Sequence, residues 1–338
     1  MRKKLLALLV ASSCALGLLS ASPAHAGVPD WVKPALDYLV SKNAIERSNF
    51  KPNATLRRRA FKRMMARTFG GGYSRTKGRV KAYEVDAALV RALGRGNLAR
   101  RLNRMKSPDG WDPKVGRHFG TEIVAREMGL RHDRPTHEEH LEASADERMR
   151  QADVVYAVYR AKVSPNTWGA DELESFKLRN LGKRQRAIVR FAFKQVGKPY
   201  YWSGEWPRVT PSGYPYGAQS HGGFDCSGFV WYVMRKKESI WSPKRPYRGW
   251  RLDQRSSADM GAHTPRRLGY KSLRSGDVLL FASNGRKSKA SSIYHAGIYL
   301  GRGWMIDSSG SQAGVSLSRV GPGSWWRDQF AWGRRVIR

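Results

Sequence analysis

Cys226, His295 and Asp307 are the residues of this sequence whose types and settings can support nucleophilic chemistry. Cys226 stands in the run Gly222-Gly223-Phe224-Asp225-Cys226-Ser227-Gly228-Phe229-Val230-Trp231-Tyr232-Val233-Met234. Asp225 is a good helix N-cap, and Phe229, Val230 and Val233 line one side of the helix that follows. Cys226 then falls in the first turn, where the positive end of the helix dipole favours negative charge. Backbone N–H groups left free there can receive an oxyanion.

A nucleophile of this kind needs a base, and the base needs an orienting partner. Residues 292–300 alternate as a strand, with Tyr294, Ala296, Ile298 and Leu300 toward the core. That alternation turns His295 to the opposite face with Gly297, an open face expected to meet a helix packed above the sheet. His221 and His263, the other histidines of this half, lie on no alternating strand. The next strand is Trp304-Met305-Ile306-Asp307, reached through Gly301-Arg302-Gly303. A three-residue loop pairs 297 with 307 and makes Asp307 a diagonal neighbour of His295 on the same face; a two-residue loop pairs 300 with 303 and separates them.

The setting of Cys226 follows from the ends of the chain and its composition. Arg2, Lys3 and Lys4 precede the apolar stretch 5–19, and Ala24-His25-Ala26 offers a small-x-small cleavage site. This pattern predicts a secretory signal peptide over 1–26 and no transmembrane segment. Its removal takes Cys14 with it and leaves Cys226 as an unpaired thiol in an exported protein. The 338 residues carry 62 Lys+Arg against 27 Asp+Glu, a net charge of +35. Such a charge calls for an acidic partner. No helix-turn-helix, zinc-finger or RNA-recognition signature accompanies it, so anionic cell-wall polymer is expected rather than nucleic acid.

Two halves position these residues. A helical domain is expected over 27–165, a linker over 166–182, and an α+β catalytic domain over 183–338, where 28 basic residues face 8 acidic ones. In the first half, helical spacing appears at Trp31–Leu39, at Leu56–Met65, and over 82–105, 119–129 and 144–162. The stretches Trp31-Val32-Lys33-Pro34-Ala35-Leu36-Asp37-Tyr38-Leu39 and Phe50-Lys51-Pro52-Asn53-Ala54-Thr55-Leu56, with Arg58 and Phe61, resemble an S-layer homology (SLH) module. A second copy is expected at 149–156. The family's Thr-Arg-Ala-Glu core stands here as Arg57-Arg58-Arg59-Ala60, and Gln151 takes the arginine's place in the second copy. The resemblance implies wall-polysaccharide binding; an ordinary helical domain with a Pro-Asn turn fits the same residues. His132, His137 and His140 have no further ligand at a set spacing and read as surface histidines, so no metal or organic cofactor is expected.

The second half resembles NlpC-type cell-wall peptidases. The residues that carry the likeness are Pro199-Tyr200, Asp225-Cys226-Ser227-Gly228, Arg255-Ser256-Ser257, Ser275-Gly276-Asp277-Val278 and Tyr294-His295-Ala296-Gly297-Ile298-Tyr299, in that order. The resemblance implies a papain-like fold, helices packed on an antiparallel sheet, that hydrolyses peptidoglycan stem peptides, commonly between D-glutamate and the diamino acid. It implies Cys226 as nucleophile, His295 as base and Asp307 in a third position that the family usually fills with His. Tyr200, Trp202, Asp225 and Ser227 are expected around the substrate. The stretch 205–221, rich in Pro, Gly and Tyr, is an insertion placed to shape the substrate groove. Two alternatives stay open: a cationic wall-binding protein with an inactive papain-like domain, and an amidase or acyltransferase of the same fold.

Overall fold

A computed structural model describes residues 27–71, 76–210, 218–235 and 252–337. The expected signal peptide and the middle of the 205–221 insertion lie outside the described residues. The first half is helical: α1 (Lys33–Ser41), α2 (Arg58–Phe69), α3 (Ala82–Ala92), α4 (Gly96–Asn103), α5 (Phe119–Glu127), α6 (Gln151–Val163) and α7 (Thr167–Leu173). The stretch expected as one helix over 82–105 breaks in two at Gly94, which adopts a φ of +73° that glycine reaches without strain.

Three of these helices start from a common point. Leu56 N–H donates to Met149 O at 3.1 Å, Met149 N–H to Val80 O at 3.0 Å, and Val80 N–H to Leu56 O at 2.9 Å. The bonds close a triangle, flanked by bridges between Thr55 and Arg150, Arg57 and Arg79, and Lys81 and Arg148. Each arm then enters a helix, α2, α3 or α6, and buries its apolar residue at the hub. The stretches that resemble SLH copies contain two of these helix starts, at Leu56 and Met149, and the third is at Val80. The arm at Val80-Lys81-Ala82-Tyr83-Glu84 reads in sequence only as a helix start, because its pairing partners are remote in the chain. For the same reason α6 begins at Gln151 and not at 144: residues 147–150 are extended to close the triangle.

The second half comprises α8 (Lys183–Phe193), β1 (Glu205–Trp206), β2 (Gly223–Phe224), α9 (Cys226–Arg235), α10 (Ser257–Ala262), β3 (Val278–Phe281), β4 (His295–Gly301), β5 (Trp304–Ser309), β6 (Gly314–Arg319), α11 (Trp325–Gln329) and β7 (Phe330–Arg334). β1 and β2 pair antiparallel, and the others form an antiparallel sheet in the order β6-β5-β4-β3-β7. The fold is therefore α+β, with helices on a sheet, as the sequence pattern implies. Helix α9 packs on β4 and β5, and Phe229, Val230, Val233 and Met234 are fully buried there.

The sheet is covered on both faces. Ala296, Ile298 and Leu300 share a core with α9, while Leu279, Phe281, Tyr299 and Met305 pack on Leu268, Leu273 and Phe330 on the other side. The face of β4 that carries His295 is thus not open, as alternation alone suggests; the chain around 268–273 and the turn before β7 close it. No boundary in the core separates the halves, since one apolar cluster runs from Val32 to Ile337. The 166–182 stretch carries α7 and buries Phe176, Leu178 and Leu181. No described helix is long and apolar enough to cross a membrane.

Leu56 is 4% exposed at the hub, so Leu56→Ala is expected to cost about 2–5 kcal/mol. The measurement is the urea midpoint at unchanged slope; a change under about 1 kcal/mol would show that the triangle is not a packing centre.

Candidate active site

Asp225 caps α9 as expected: its Oδ1 accepts the Gly228 N–H at 2.6 Å. Cys226 is thereby the first helical residue, 9% exposed. Its own N–H and that of Ser227 lie where no intrahelical carbonyl can accept them. The cap is clamped by Arg255, whose guanidinium pairs with Asp225 Oδ2 at 2.9 Å and Glu205 Oε2 at 2.8 Å and donates to Ser227 Oγ at 3.0 Å. Gly228 is needed for closeness, because a Cβ there would stand 2.0 Å from Gly204 O. The four-residue motif is therefore a packed unit: cap, thiol, clamp contact and a bare backbone against a neighbouring chain segment.

Arg255 is the residue that sequence reasoning left without a role. Its signal was present in Arg255-Ser256-Ser257, but its partners 30 and 50 residues upstream are visible only in the fold. The same contacts revise two expectations. Asp225 and Ser227 were expected at the substrate, yet both carboxylate oxygens and the hydroxyl are already engaged in holding the turn.

Register brings His295 to Asp307. The connection between β4 and β5 is a two-residue turn, Arg302 and Gly303, with φ of +53° and +76°, which suits a tight hairpin. Gly301 pairs with Trp304, and an irregularity between Tyr299 and Gly301 shifts the ladder by one, so that Tyr299 pairs with Met305 and Gly297 with Asp307. The bulge supplies the pairing for which the sequence alone required a three-residue loop. A Cβ on Gly297 would stand 3.2 Å from Asp307 Cβ and 2.8 Å from Met305 Sδ; its absence lets the carboxylate reach across. Asp307 Oδ2 lies 2.8 Å from His295 Nε2, with Asp307 fully buried and the His295 side chain 8% exposed.

Cys226 approaches the same imidazole at the start of β4, where its Sγ sits 3.7 Å from Tyr294 O. Burial alone would lower the pKa of His295, but the charge of Cys226, hydrogen bonds to Asp307 and Cys226, and the charge of Asp307 outweigh it and raise the group to about 10. Thiol, imidazole and carboxylate are thus brought together, and the imidazolium is the favoured form at neutral pH.

Tyr200 lies near Cys226 and, with Trp202, lines a cavity of about 580 Å3 completed by Trp31, His132, Asp133, Arg134 and Glu139 of the helical half. Burial, then the charges of Cys226, Asp225, Asp133 and Glu139, push the Tyr200 hydroxyl well above its ordinary value. Glu139 accepts the Trp202 N–H at 2.8 Å. Of the remaining histidines, His221 bonds Glu147 at 3.0 Å and His132 stacks on Trp31 at 4.1 Å. Among the described residues no three His, Cys, Asp or Glu side chains gather as metal ligands.

Residues 197–334 match the NlpC/P60 family, so an NlpC/P60 domain occupies this stretch. The chain is 24% identical over 155 residues to murein DD-endopeptidase MepH of Escherichia coli, covering 46% of this chain and 47% of that protein. It is 31% identical over 144 residues to the probable endopeptidase YafL of the same organism, covering 43% and 47%. It is 29% identical over 138 residues to the gamma-DL-glutamyl hydrolase of Bacillus subtilis, covering 41% and 26%. The chain thus spans less than half the length of each of these relatives.

The raised pKa of His295 makes stability depend on pH. Between the ordinary value of 6.5 and about 10 the folded group keeps a proton that the unfolded chain has released. Its contribution is complete below about pH 6.5 and is lost as pH rises through about 10. The urea midpoint of the native chain should therefore fall more from pH 6.5 to pH 10 than that of His295→Gln. Equal falls would mean that His295 does not hold its proton in this way.

Proposed function

We propose that the chain is an exported peptidoglycan hydrolase that cleaves stem-peptide amide bonds by Cys226-His295-Asp307 catalysis. The observation that carries this reading is the buried pair of His295 and Asp307 at 2.8 Å, with the helix-terminal thiol of Cys226 3.7 Å from the carbonyl of the adjacent Tyr294. An inactive, purely binding domain has no need to keep all three together.

In the proposed mechanism the Cys226 thiolate attacks the carbonyl carbon of the scissile amide. The oxyanion develops beside the Cys226 N–H, at the positive end of α9. His295 gives its proton to the departing amine nitrogen as the C–N bond breaks, leaving a thioester on Cys226. It then takes a proton from water, whose oxygen attacks the thioester carbonyl; the C–S bond breaks and the thiolate and imidazolium are restored. Asp307 holds the ring in place through its bond to Nε2. Tyr200 and Trp202 flank the bound peptide from the cavity that both halves line. The relatives' names differ on the bond, DD-endopeptidase in one case and gamma-DL-glutamyl hydrolase in another. The bond proposed here is D-γ-glutamyl–diamino acid.

The first half, with its SLH-like residues, is proposed to hold anionic wall polymer. Its support is a cavity of about 970 Å3 next to the triangle, lined by Arg57, Arg59, Arg63, Lys77 and Arg79 with Glu46 as the acid on its wall. Like charges gathered on one exposed wall attract a polyanion and repel one another without it.

Cys226→Ala should abolish release of peptide fragments from purified peptidoglycan, and mass spectrometry of the native digest should find new D-glutamate termini. Undiminished release by that variant would sink the assignment of the nucleophile; termini at D-alanine would move the cut to the cross-link. Binding of Cys226→Ala to sedimented walls should weaken severalfold between about 0.05 and 0.5 M salt. Replacing Arg59 and Arg63 by Gln should remove much of that dependence, and binding that ignores both salt and these substitutions would exclude the basic cavity as the polymer site.

A further inference from the structure

Trp326 has no place in the chemistry derived so far, yet it covers the central imidazole. Its ring stacks on His295 with centroids 4.3 Å apart and planes 25° from parallel. The indole is itself fixed from two directions: edge-on by Phe281 at 4.9 Å and by Trp325 at 4.7 Å. The turn that carries it is capped by Ser324, whose Oγ accepts the Arg327 N–H at 3.3 Å. Trp325 stands 60% exposed at the rim, while Trp326 is half-buried against the site.

We propose that Trp326 is a positioning residue for His295: its face fixes the imidazole in the plane that serves both Cys226 and Asp307 and stabilises the protonated ring. Two physical effects act together. A cation against an aromatic face within about 6 Å is attracted by the ring quadrupole, more strongly where water is excluded. The same indole covers one face of the ring that bonds Asp307 at 2.8 Å, and a hydrogen bond is stronger in a drier setting.

The surroundings of His295 leave few other sources for this effect. Cys226 faces it from α9 and Asp307 from β5, with Glu127 of the helical half next to Asp307. β3 presents the uncharged Phe281 at 5.8 Å, and the neighbouring Tyr294 directs its hydroxyl to Gln329. On the turn of Trp326 itself, Arg327 is turned away onto the Tyr270 ring at 3.8 Å, and Asp328 is exposed.

This inference rests on the reading of His295 as the base, and its test separates the two. In the full chain with labelled histidine, the His295 resonance is identified by its loss in His295→Gln, and its titration is followed by NMR. Trp326→Leu is expected to lower the His295 midpoint by about 0.5 to 1 pH unit and to abolish the ring-current shift. Trp326→Phe, which keeps a stacking ring and guards against misfolding of the leucine variant, is expected to recover at least half of the midpoint shift. The alkaline limb of kcat/KM should move to lower pH with the midpoint, with the loss in kcat and little change in KM. A midpoint that stays at the native value in a folded Trp326→Leu overturns the inference, whatever its activity. Full activity in His295→Gln would instead overturn the reading of His295 as base and leave the NMR result standing.

Discussion

The site depends on a carboxylate with no exposure to water. An ionised Asp307 at that depth is costly unless a partner offsets it, and the partner is the imidazole 2.8 Å away. The imidazole in turn keeps its proton against the opposing effect of burial because Cys226 and Asp307 both lie against it. Breaking any one contact leaves the others buried and uncompensated, so the three groups behave as a unit. The surrounding architecture serves to hold that unit: the bulged β4–β5 ladder sets the carboxylate opposite Gly297, and Asp225 and Arg255 fix the first turn of α9.

The helical half is part of this arrangement. Buried Arg126 of α5 donates to Gln312 O at 3.1 Å and to Ala313 O, beside the start of β6. Ala145 N–H bonds Gly197 O at 3.1 Å, and Glu139 and Glu147 reach Trp202 and His221. Two of these contacts, at Gly197 and Trp202, hold the segment 197–202, which carries Tyr200. The cavity lined by Tyr200 and Trp202 is completed by Trp31, His132, Asp133, Arg134 and Glu139 of the helical half, a wall of mixed charge. Arg57, Arg59, Arg63, Lys77 and Arg79 gather separately, beside the triangle of helix starts.

Local signals in the sequence were enough for the parts whose physics is local. A cap residue before an apolar helix located Cys226, and strict alternation placed His295 on a strand, because both depend on neighbours within four residues. The fold class of the second half was legible for the same reason. Boundaries were less so: α6 starts late because its preceding residues pair with segments about 70 and 95 residues upstream, and the third arm of the triangle was invisible without those partners.

What the sequence by itself determined is the pair of elements that carry Cys226 and His295, a capped helix and a strand. Tertiary structure decided which groups meet. Asp307 could face His295 or turn from it according to one extra residue in a ladder, and the bulge between Tyr299 and Gly301 settles that choice. Asp225 and Ser227 became parts of a clamp only because Arg255 folds back on them. Trp326 reaches the imidazole only through the turn before β7. In each case the deciding contact joins residues far apart in the chain, and the energy that selects it comes from burial and charge compensation, which no local spacing encodes.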